Sequence, residues 1–212
     1  MDLREIGRVS RLQVQRAPLK VGQKPHRVYD PSPLLSVARA SVSSSGMTAL
    51  PTDGQSVVDV HHVRHPQSQN AGSNGISFGF TPNYARMRER FGDHLADGCA
   101  GENILIETNL SLGLADLQRG VAIRLGSSET YLWLRSIVIA RPCVEFSRHA
   151  LRQSQVEKDS QVIQSTLQFL GNGVRGFYAT PVNPDDLVVS IGDRVFLSSA
   201  DPALHEQFAA FN

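Results

Sequence analysis

A cysteine stands at the end of a strongly apolar segment, directly after a proline, in Ile137-Val138-Ile139-Ala140-Arg141-Pro142-Cys143. Because proline cannot donate a ladder hydrogen bond, the chain must leave the sheet here, which predicts Cys143 at a rim of the fold. Side chains alternate along an extended segment, so Arg141 and Cys143 fall on one side, where the guanidinium favours a thiolate. A thiolate attacks disulfides and binds soft metals; the alternative is a small buried apolar residue.

A second polar group opens a predicted strand earlier in the chain, where Gly101-Glu102-Asn103 precedes Ile104-Leu105-Ile106. Gly101 permits a tight approach to the strand. Glu102 and Asn103 can bind backbone amides or the polar edge of a ligand. An ordinary turn is the alternative interpretation of this tripeptide.

A cluster of histidines lies in Asp59-Val60-His61-His62-Val63-Arg64-His65. We predict a strand over 57–63, and adjacent histidines on a strand point to opposite faces, so His61 and His62 make a poor metal site. If the strand continues, His61 and His65 share a face, and His65 is the one expected to face a cleft. Polar rim residues are the alternative.

The composition is that of an ordinary globular domain, with 21 basic and 20 acidic side chains and a net charge of +1. Near-neutral charge argues against a nucleic-acid partner. No apolar run approaches the roughly 18 to 20 residues that span a bilayer, and the charged N-terminus does not resemble a secretory signal. We therefore expect a cytoplasmic protein with no membrane partner, whose two cysteines, Cys99 and Cys143, are free thiols.

Alternating or β-branched segments bounded by turn residues predict many short strands, which favours a β-barrel or sandwich. These segments are 7–15, 35–42, 57–63, 76–80, 103–107, 121–125, 130–140, 176–182 and 193–197. Three helices are predicted around them, over 81–91, 159–170 and 201–212. The first opens on Thr81 and Pro82, and the last is expected to cover an open barrel edge.

The order of these motifs resembles the MOSC domain family, named for the C-terminal domain of molybdenum cofactor sulfurase. The order begins with the strand opened by Gly101-Glu102-Asn103, continues with a glycine-flanked strand (120–126), and reaches the strand that ends in Arg-x-Cys. A helix comes next. Gly-x-x-Gly-Phe-Tyr-Ala and Ile-Gly-Asp-Arg-Val-Phe-Leu follow, with their markers at Gly173, Gly176, Gly192 and Asp193. The resemblance covers roughly residues 5 to 198 and is firm from Gly101 onward.

The resemblance implies a mainly β barrel with about three peripheral helices. It implies a single domain over 1–212, with a core of about 5–198 and a C-terminal helix over 201–212. Cys143 then binds the molybdenum of a pterin-based cofactor or carries a transferable sulfur, and arginines suit the cofactor's phosphate. The implied catalytic residues are Cys143, Arg141 and Glu102, and the implied cofactor-binding residues are Asn103, Arg175, His65 and Asn70.

One family element is missing. Many members carry His-Gly-Gly-x-x-Arg/Lys-Ala before the helix that precedes Gly-Glu-Asn. The best match here, beginning at Asn70 and ending at Ile76, lacks both the histidine and the basic residue. We expect this loop to border the cleft that holds Cys143 and Glu102, and cofactor affinity to be weak unless His65 or Arg64 compensates. If His65 points away, a non-catalytic binding module becomes the favoured interpretation.

The leading hypothesis is a stand-alone MOSC-type protein that binds the molybdenum cofactor through Cys143. It would carry out a reductive or sulfur-transfer reaction on a small substrate; characterised relatives reduce N-hydroxylated bases and amidoximes. A separate electron donor or a cysteine desulfurase is the expected partner, since the sequence holds no flavin, haem or iron–sulfur motif. Pyridoxal phosphate is not expected, because none of the three lysines lies in a Schiff-base context. A persulfide carrier without metal is the alternative enzyme.

Overall fold

The computed structural model describes residues 3–70, 75–152, 160–183 and 185–198. Its strands are β1 (Leu3–Gln15), β2 (Lys20–Val21), β3 (Val28–Tyr29), β4 (Leu34–Val37), β5 (Arg39–Ser43), β6 (Gly46–Ala49), β7 (Val57–Val58), β8 (Ile76–Phe80), β9 (Ile104–Glu107), β10 (Val121–Arg124), β11 (Tyr131–Ile139), β12 (Phe177–Pro181), β13 (Leu187–Ser190) and β14 (Arg194–Ser198). Its helices are α1 (Thr81–Phe91), α2 (Leu114–Leu117), α3 (Val144–Ala150) and α4 (Ser160–Gly171).

Seven of the described strands close a barrel. Their order is β14-β10-β11-β12-β8-β9-β1, and β1 pairs back with β14. The ladder is antiparallel except between β8 and β9, which are parallel and joined by the crossover helix α1. The predicted mainly β barrel with peripheral helices is therefore confirmed.

The remaining strands attach to this barrel or lie beside it. β4 pairs with the end of β1, while β13, β5, β6 and β7 form a separate four-stranded sheet. β2 and β3 make a short hairpin. No helix among the described residues is long and apolar enough to cross a membrane.

Aromatic side chains fill the middle of the barrel. The rings of Phe78 and Phe177 stack with centroids 5.6 Å apart, and Phe80 meets Phe177 at 6.1 Å. Because side chains alternate along a strand, Ser77 and Tyr178 leave the barrel wall on its outer face. These two outward residues mark the part of the wall on which the candidate site is built.

A second apolar cluster covers that outer face. It joins Tyr84 and Met87 of α1, Phe146 of α3 and Leu170 of α4, and it includes Leu19 and Tyr29 around the β2–β3 hairpin. The helices therefore pack on the outside of the barrel, and the space between them and the wall is available for a pocket.

Several predicted elements differ from the structure. The strand expected over 57–63 ends at Val58, because the chain then enters consecutive turns stabilised by Asp59. The strand expected over 35–42 is broken at Ala38 into β4 and β5. Two helices, α2 and α3, and four strands, β2, β3, β6 and β13, were not predicted. The helix expected over 201–212 lies outside the described residues.

The aromatic filling predicts which substitution destabilises the barrel. Phe80 is 1% exposed, so Phe80→Ala should lower the free energy of unfolding by about 3–5 kcal/mol through lost burial and a cavity. Val138, which is 47% exposed, is the control, and Val138→Ala should change it by less than about 0.5 kcal/mol. Urea titration followed by circular dichroism measures both. Equal losses of stability in the two variants would contradict the placement of Phe80 in the barrel core.

Candidate functional site

The loop before β9 is held through its carbonyl oxygens. The Gln13 side-chain amide donates to the carbonyls of Gly98 and Glu102 at 2.7 and 2.8 Å. Tyr29 Oη donates to Cys99 O at 2.8 Å, and Gln15 Nε2 donates to Gly101 O at 2.8 Å. The fifth carbonyl, that of Ala100, accepts Arg175 Nη2 at 3.2 Å. Five consecutive carbonyls thus have side-chain donors, which fixes the loop.

Glu102 is the acidic group that this loop delivers. It is 5% exposed, and Tyr84 Oη donates to its Oε2 at 2.6 Å while accepting the Ala100 N–H at 3.0 Å. A Cβ at Gly79 or Gly176 would lie 3.0 to 3.3 Å from Glu102 side-chain atoms, so glycine at both positions leaves room for the carboxyl. Burial raises the pKa of Glu102, and the bond from Tyr84 and the charge of Arg175 oppose that rise.

Asn103 belongs to the framework below the pocket. It is 1% exposed and absent from the pocket lining. Its Oδ1 accepts the N–H and the hydroxyl of Ser77, both at 2.9 Å, and its Nδ2 donates to Asp59 Oδ2 at 2.9 Å and Gln13 O at 3.3 Å. With its amide bonded in this way, Asn103 links β1 and β8 below the cavity, and its part in cofactor binding stays a prediction.

Cys143 caps the helix α3 and lines the pocket. It is partly buried, and its Sγ accepts the Phe146 N–H at 3.4 Å. Burial acts to raise the pKa of the nearby Glu145, but Arg27 and Cys143 are among the groups that lower it overall. Glu145 accepts both Nε and Nη2 of Arg27, at 2.8 and 2.6 Å. Arg141 lines the same pocket and is exposed. Proline thus ends β11 beside the pocket, where α3 begins.

Arg175 is the cation that lies deepest in the site. Its guanidinium lies 5.8 Å from the centre of the Phe146 ring, and its Nε–H is buried with no hydrogen-bond partner among the described residues. Burial by itself lowers the pKa of Arg175, but Tyr178, Tyr29 and Cys143 raise it, with a net rise. The guanidinium therefore stays charged and retains a donor for a ligand.

These groups share one cavity of about 410 Å³ on the outer face of the barrel. The β2–β3 hairpin contributes Lys20, Arg27 and Tyr29 to its lining. With Arg141 and Arg175, the lining holds four cations and a single acidic residue, Glu102. Burial raises the pKa of Tyr29 well above 10.0, which keeps its hydroxyl neutral. The cavity is therefore basic and suits an anionic ligand.

The histidine of this pocket is His61, and His65 is absent from the lining. The prediction for His65 assumed a continuing strand, whereas the chain turns after Val58. The buried carboxylate of Asp59 accepts both the backbone N–H and the Nδ1 of His61 at 2.9 Å. This turn directs His61 towards the cavity.

Asn70 is also absent from the lining, although Gln67 and Gln69 of the same loop contribute to it. The pocket of Cys143 and Glu102 is therefore bordered by two glutamines that precede the expected loop, and the placement of that loop at the cleft stays a prediction. Residues 71–74 lie outside the described residues.

The second cysteine has a different environment from the first. Burial, with smaller contributions from Glu102 and Asp97 and against the opposing charge of Arg88, raises the pKa of Cys99 to about 12. Cys99 is therefore a thiol at neutral pH. No group of three or more His, Cys, Asp or Glu side chains that could hold a metal ion occurs in the described ranges.

The lining residues that the sequence analysis did not assign to the site include Lys20, Arg27, Tyr29, His61 and Tyr178. The signal for His61 was present, because an aspartate two residues before it commonly forms a side-chain turn. The alternation around Phe177 could have placed Tyr178 on the outer face. The hairpin residues gave no local signal.

Comparisons with known proteins found matches among solved structures. The YuaD protein from Bacillus subtilis is 11% identical, with 92% of this chain and 95% of that chain covered and a TM-score of 0.49. YiiM from Geobacillus stearothermophilus is 14% identical, with 95% and 78% covered and a TM-score of 0.48. No family model and no curated protein sequence matches.

The two thiols are predicted to differ in reactivity. At neutral pH, iodoacetamide should modify Cys143 at least about tenfold faster than Cys99, because Cys99 is held as a buried thiol while Cys143 lines the cavity. Peptide mass spectrometry of timed samples measures both rates, with Cys99→Ser and Cys143→Ser as controls. Faster modification of Cys99 in the folded protein would contradict this arrangement.

The buried carboxyl predicts a pH dependence of stability. The pKa of Glu102 is higher in the folded protein than in the unfolded chain, so the folded protein holds this proton more tightly. The stability that results is fully present below the pKa of the unfolded chain, and it is lost as the pH rises through the pKa of the folded protein. Wild-type protein should therefore lose stability relative to Glu102→Gln as pH rises above about 4 to 5. Tyr84→Phe removes a hydrogen bond that lowers the pKa of Glu102, so the loss of stability in this variant should extend to higher pH than in wild type.

Urea unfolding of the three proteins across the pH range measures these differences, in which the other titrating groups cancel. A constant difference between wild type and Glu102→Gln would show that the pKa of Glu102 is not raised.

Proposed function

We propose that this chain is a MOSC-type protein that binds the pterin-based molybdenum cofactor with Cys143 as the ligand to molybdenum. In that role it performs a reductive or sulfur-transfer reaction on a small substrate. The observation that carries the proposal is that Cys143 shares one basic cavity with four cations and the buried Glu102. The order of motifs from Gly101 onward, which resembles this family, supports it.

The residues of the cavity fit such a group. The Cys143 sulfur is the soft donor that molybdenum favours, and it is not locked into a disulfide. The buried Nε–H of Arg175 lacks a partner, and Arg141 is exposed at the same cavity, so both can bind a phosphate. A cavity of about 410 Å³ falls within the size of about 300 to 1,000 Å³ usual for small-molecule sites.

Each residue has a distinct task in this proposal. The cofactor, when bound, supplies two-electron redox chemistry that amino-acid side chains lack. Cys143 anchors it, and Arg175 and Arg141 orient its anionic end. Glu102 lies beside them with a raised pKa, so it keeps its proton to a higher pH than an ordinary glutamate and can supply it to bound substrate. Tyr84 holds the Glu102 carboxyl in place.

The missing family histidine bears on the choice between an enzyme and a binding module. Because His65 does not line the cavity, the sequence-based expectation favours a binding module. His61, however, lines the same cavity as Cys143 and is oriented by Asp59. A histidine is thus available from a neighbouring turn, and the catalytic proposal remains ahead.

A persulfide carrier is the second candidate. The observation that favours it is that Cys143 Sγ accepts the Phe146 N–H and lies at the cavity beside the Arg175 cation, so a donor and a cation both face the sulfur. The Cys143 thiolate would attack the outer sulfur of a cysteine desulfurase persulfide. A sulfur–sulfur bond forms on Cys143, the donor's sulfur–sulfur bond breaks, and the donor leaves as a thiolate.

Both candidates require a second protein. The reductive reaction takes its electrons from a separate electron donor, and the carrier takes its sulfur from a separate desulfurase. The cations Lys20 and Arg141 stand at the cavity, so an acidic surface on either partner would be attracted to its mouth.

Metal analysis distinguishes these functions. After expression in a host that makes molybdenum cofactor, wild-type protein should contain stoichiometric molybdenum and pterin, measured by mass spectrometry of the metal and fluorescence of the oxidised pterin. Cys143→Ser should lose the metal and Cys99→Ser should keep it. Arg141→Gln should weaken retention by about tenfold, as loss of one charge-assisted bond predicts. Arg39→Gln is the matched control, because Arg39 is exposed on β5 away from the cavity lining.

Three outcomes decide between the candidates. Molybdenum lost only on changing cavity residues supports the cofactor proposal. Cyanide-labile sulfur on Cys143 without molybdenum favours the persulfide carrier. Absence of both from wild-type protein overturns both and leaves a binding module.

A further inference from the structure

A buried carboxylate holds the ring of His61 in one orientation. Asp59 is 0% exposed, and its Oδ1 accepts the ring Nδ1 and the backbone N–H of His61, both at 2.9 Å. Its Oδ2 accepts the Gln15 N–H at 2.7 Å and Asn103 Nδ2 at 2.9 Å. Because both oxygens are tied to the barrel framework, Asp59 cannot turn away from the histidine.

This arrangement selects one tautomer. A carboxylate only accepts hydrogen bonds, so Nδ1 of His61 must carry the proton that binds Asp59. Nε2 is then the nitrogen left to accept or donate a proton, and no bond to it exists among the described residues. The side chain is 35% exposed and lines the cavity that contains Cys143 and Arg175.

We infer that His61 is the proton-transfer residue of this cavity, acting through Nε2 on an oxygen of an oxyanionic ligand. The inference rests on the proposed function, which places an anionic group in the same cavity. In the transfer, the Nε2–H bond of the imidazolium breaks, an O–H bond forms on the ligand, and no electrons are exchanged. Asp59 keeps the ring aligned and stabilises the imidazolium before the proton leaves.

The other charges around His61 determine how its contribution is isolated. The cations of the cavity are Lys20, Arg27, Arg141 and Arg175, of which Arg27 is paired with Glu145. Tyr29 stays neutral because its pKa is raised. Burial raises the pKa of Glu102, so the charge of this carboxyl is a second variable in any pH comparison. Glu102→Gln therefore separates its contribution, and a Cys143→Ser background removes the thiol.

The tautomer is tested first, on the full wild-type chain without added ligand. Nitrogen-15 chemical shifts distinguish a protonated from an unprotonated ring nitrogen. For neutral His61, Nδ1 should be protonated and Nε2 unprotonated, with the assignment made by comparison with His61→Gln. A protonated Nε2 in the neutral ring overturns the inference without reference to any ligand.

The contact with ligand is tested by titration calorimetry in the Cys143→Ser background, with molybdate alone and sulfate alone as probes. Both dianions keep their charge between about pH 6 and about pH 8, where histidine titrates. Molybdate should bind about tenfold more tightly at the lower pH, with uptake of a proton. With Glu102→Gln added to this background, His61→Gln should abolish the pH dependence, while His65→Gln should retain it.

An unchanged pH dependence in His61→Gln overturns the inference, as does failure of both dianions to bind at either pH. Neither result bears on molybdenum retention by Cys143, which is measured separately on protein from the cofactor-producing host. If only molybdate binds, the site selects for the larger oxyanion; if both bind with the expected proton uptake, it recognises tetrahedral dianions in general. Both of these results support proton transfer by His61.

Discussion

The candidate site depends on the way one short loop is held against the barrel. Each carbonyl from Gly98 to Glu102 accepts a side-chain donor. The donors come from β1, from the β2–β3 hairpin and from Arg175, two residues before β12. An intramolecular hydrogen bond contributes about 1 kcal/mol to stability. Together these bonds offset the conformational entropy lost on ordering the five residues only because the barrel has already positioned the donors.

The same donors connect the loop to the groups that could do chemistry. Arg175 holds Ala100 with one nitrogen and retains a buried N–H for a ligand. Tyr29 holds Cys99 from the hairpin whose Arg27 binds Glu145, next to Cys143. A change in loop position would therefore alter the acid, the cation and the thiol together. The cavity behaves as one unit because its elements share hydrogen-bond partners.

Sequence patterns predicted the parts of the molecule that local chemistry determines. The strand Ile76–Phe80 follows from alternation and β-branching, and the exit of the chain at Pro142 follows from proline's missing donor. His61 was not preferred over His65 because its orientation depends on a carboxylate held by Gln15 and Asn103, each 44 residues from Asp59. The helix α3 was missed because seven residues that begin with Val144 carry almost no periodic signal.

Closure of the barrel has a consequence for biosynthesis. The ring is completed by pairing β1 with β14, in which Leu3 lies opposite Ser198. β1 is therefore synthesised long before its partner β14, and until β14 is made its described partners are β4 and later β9. Such non-local pairing slows folding and leaves an edge of β1 unpaired in the meantime. During this interval the open edge is the part of the barrel most exposed to aggregation.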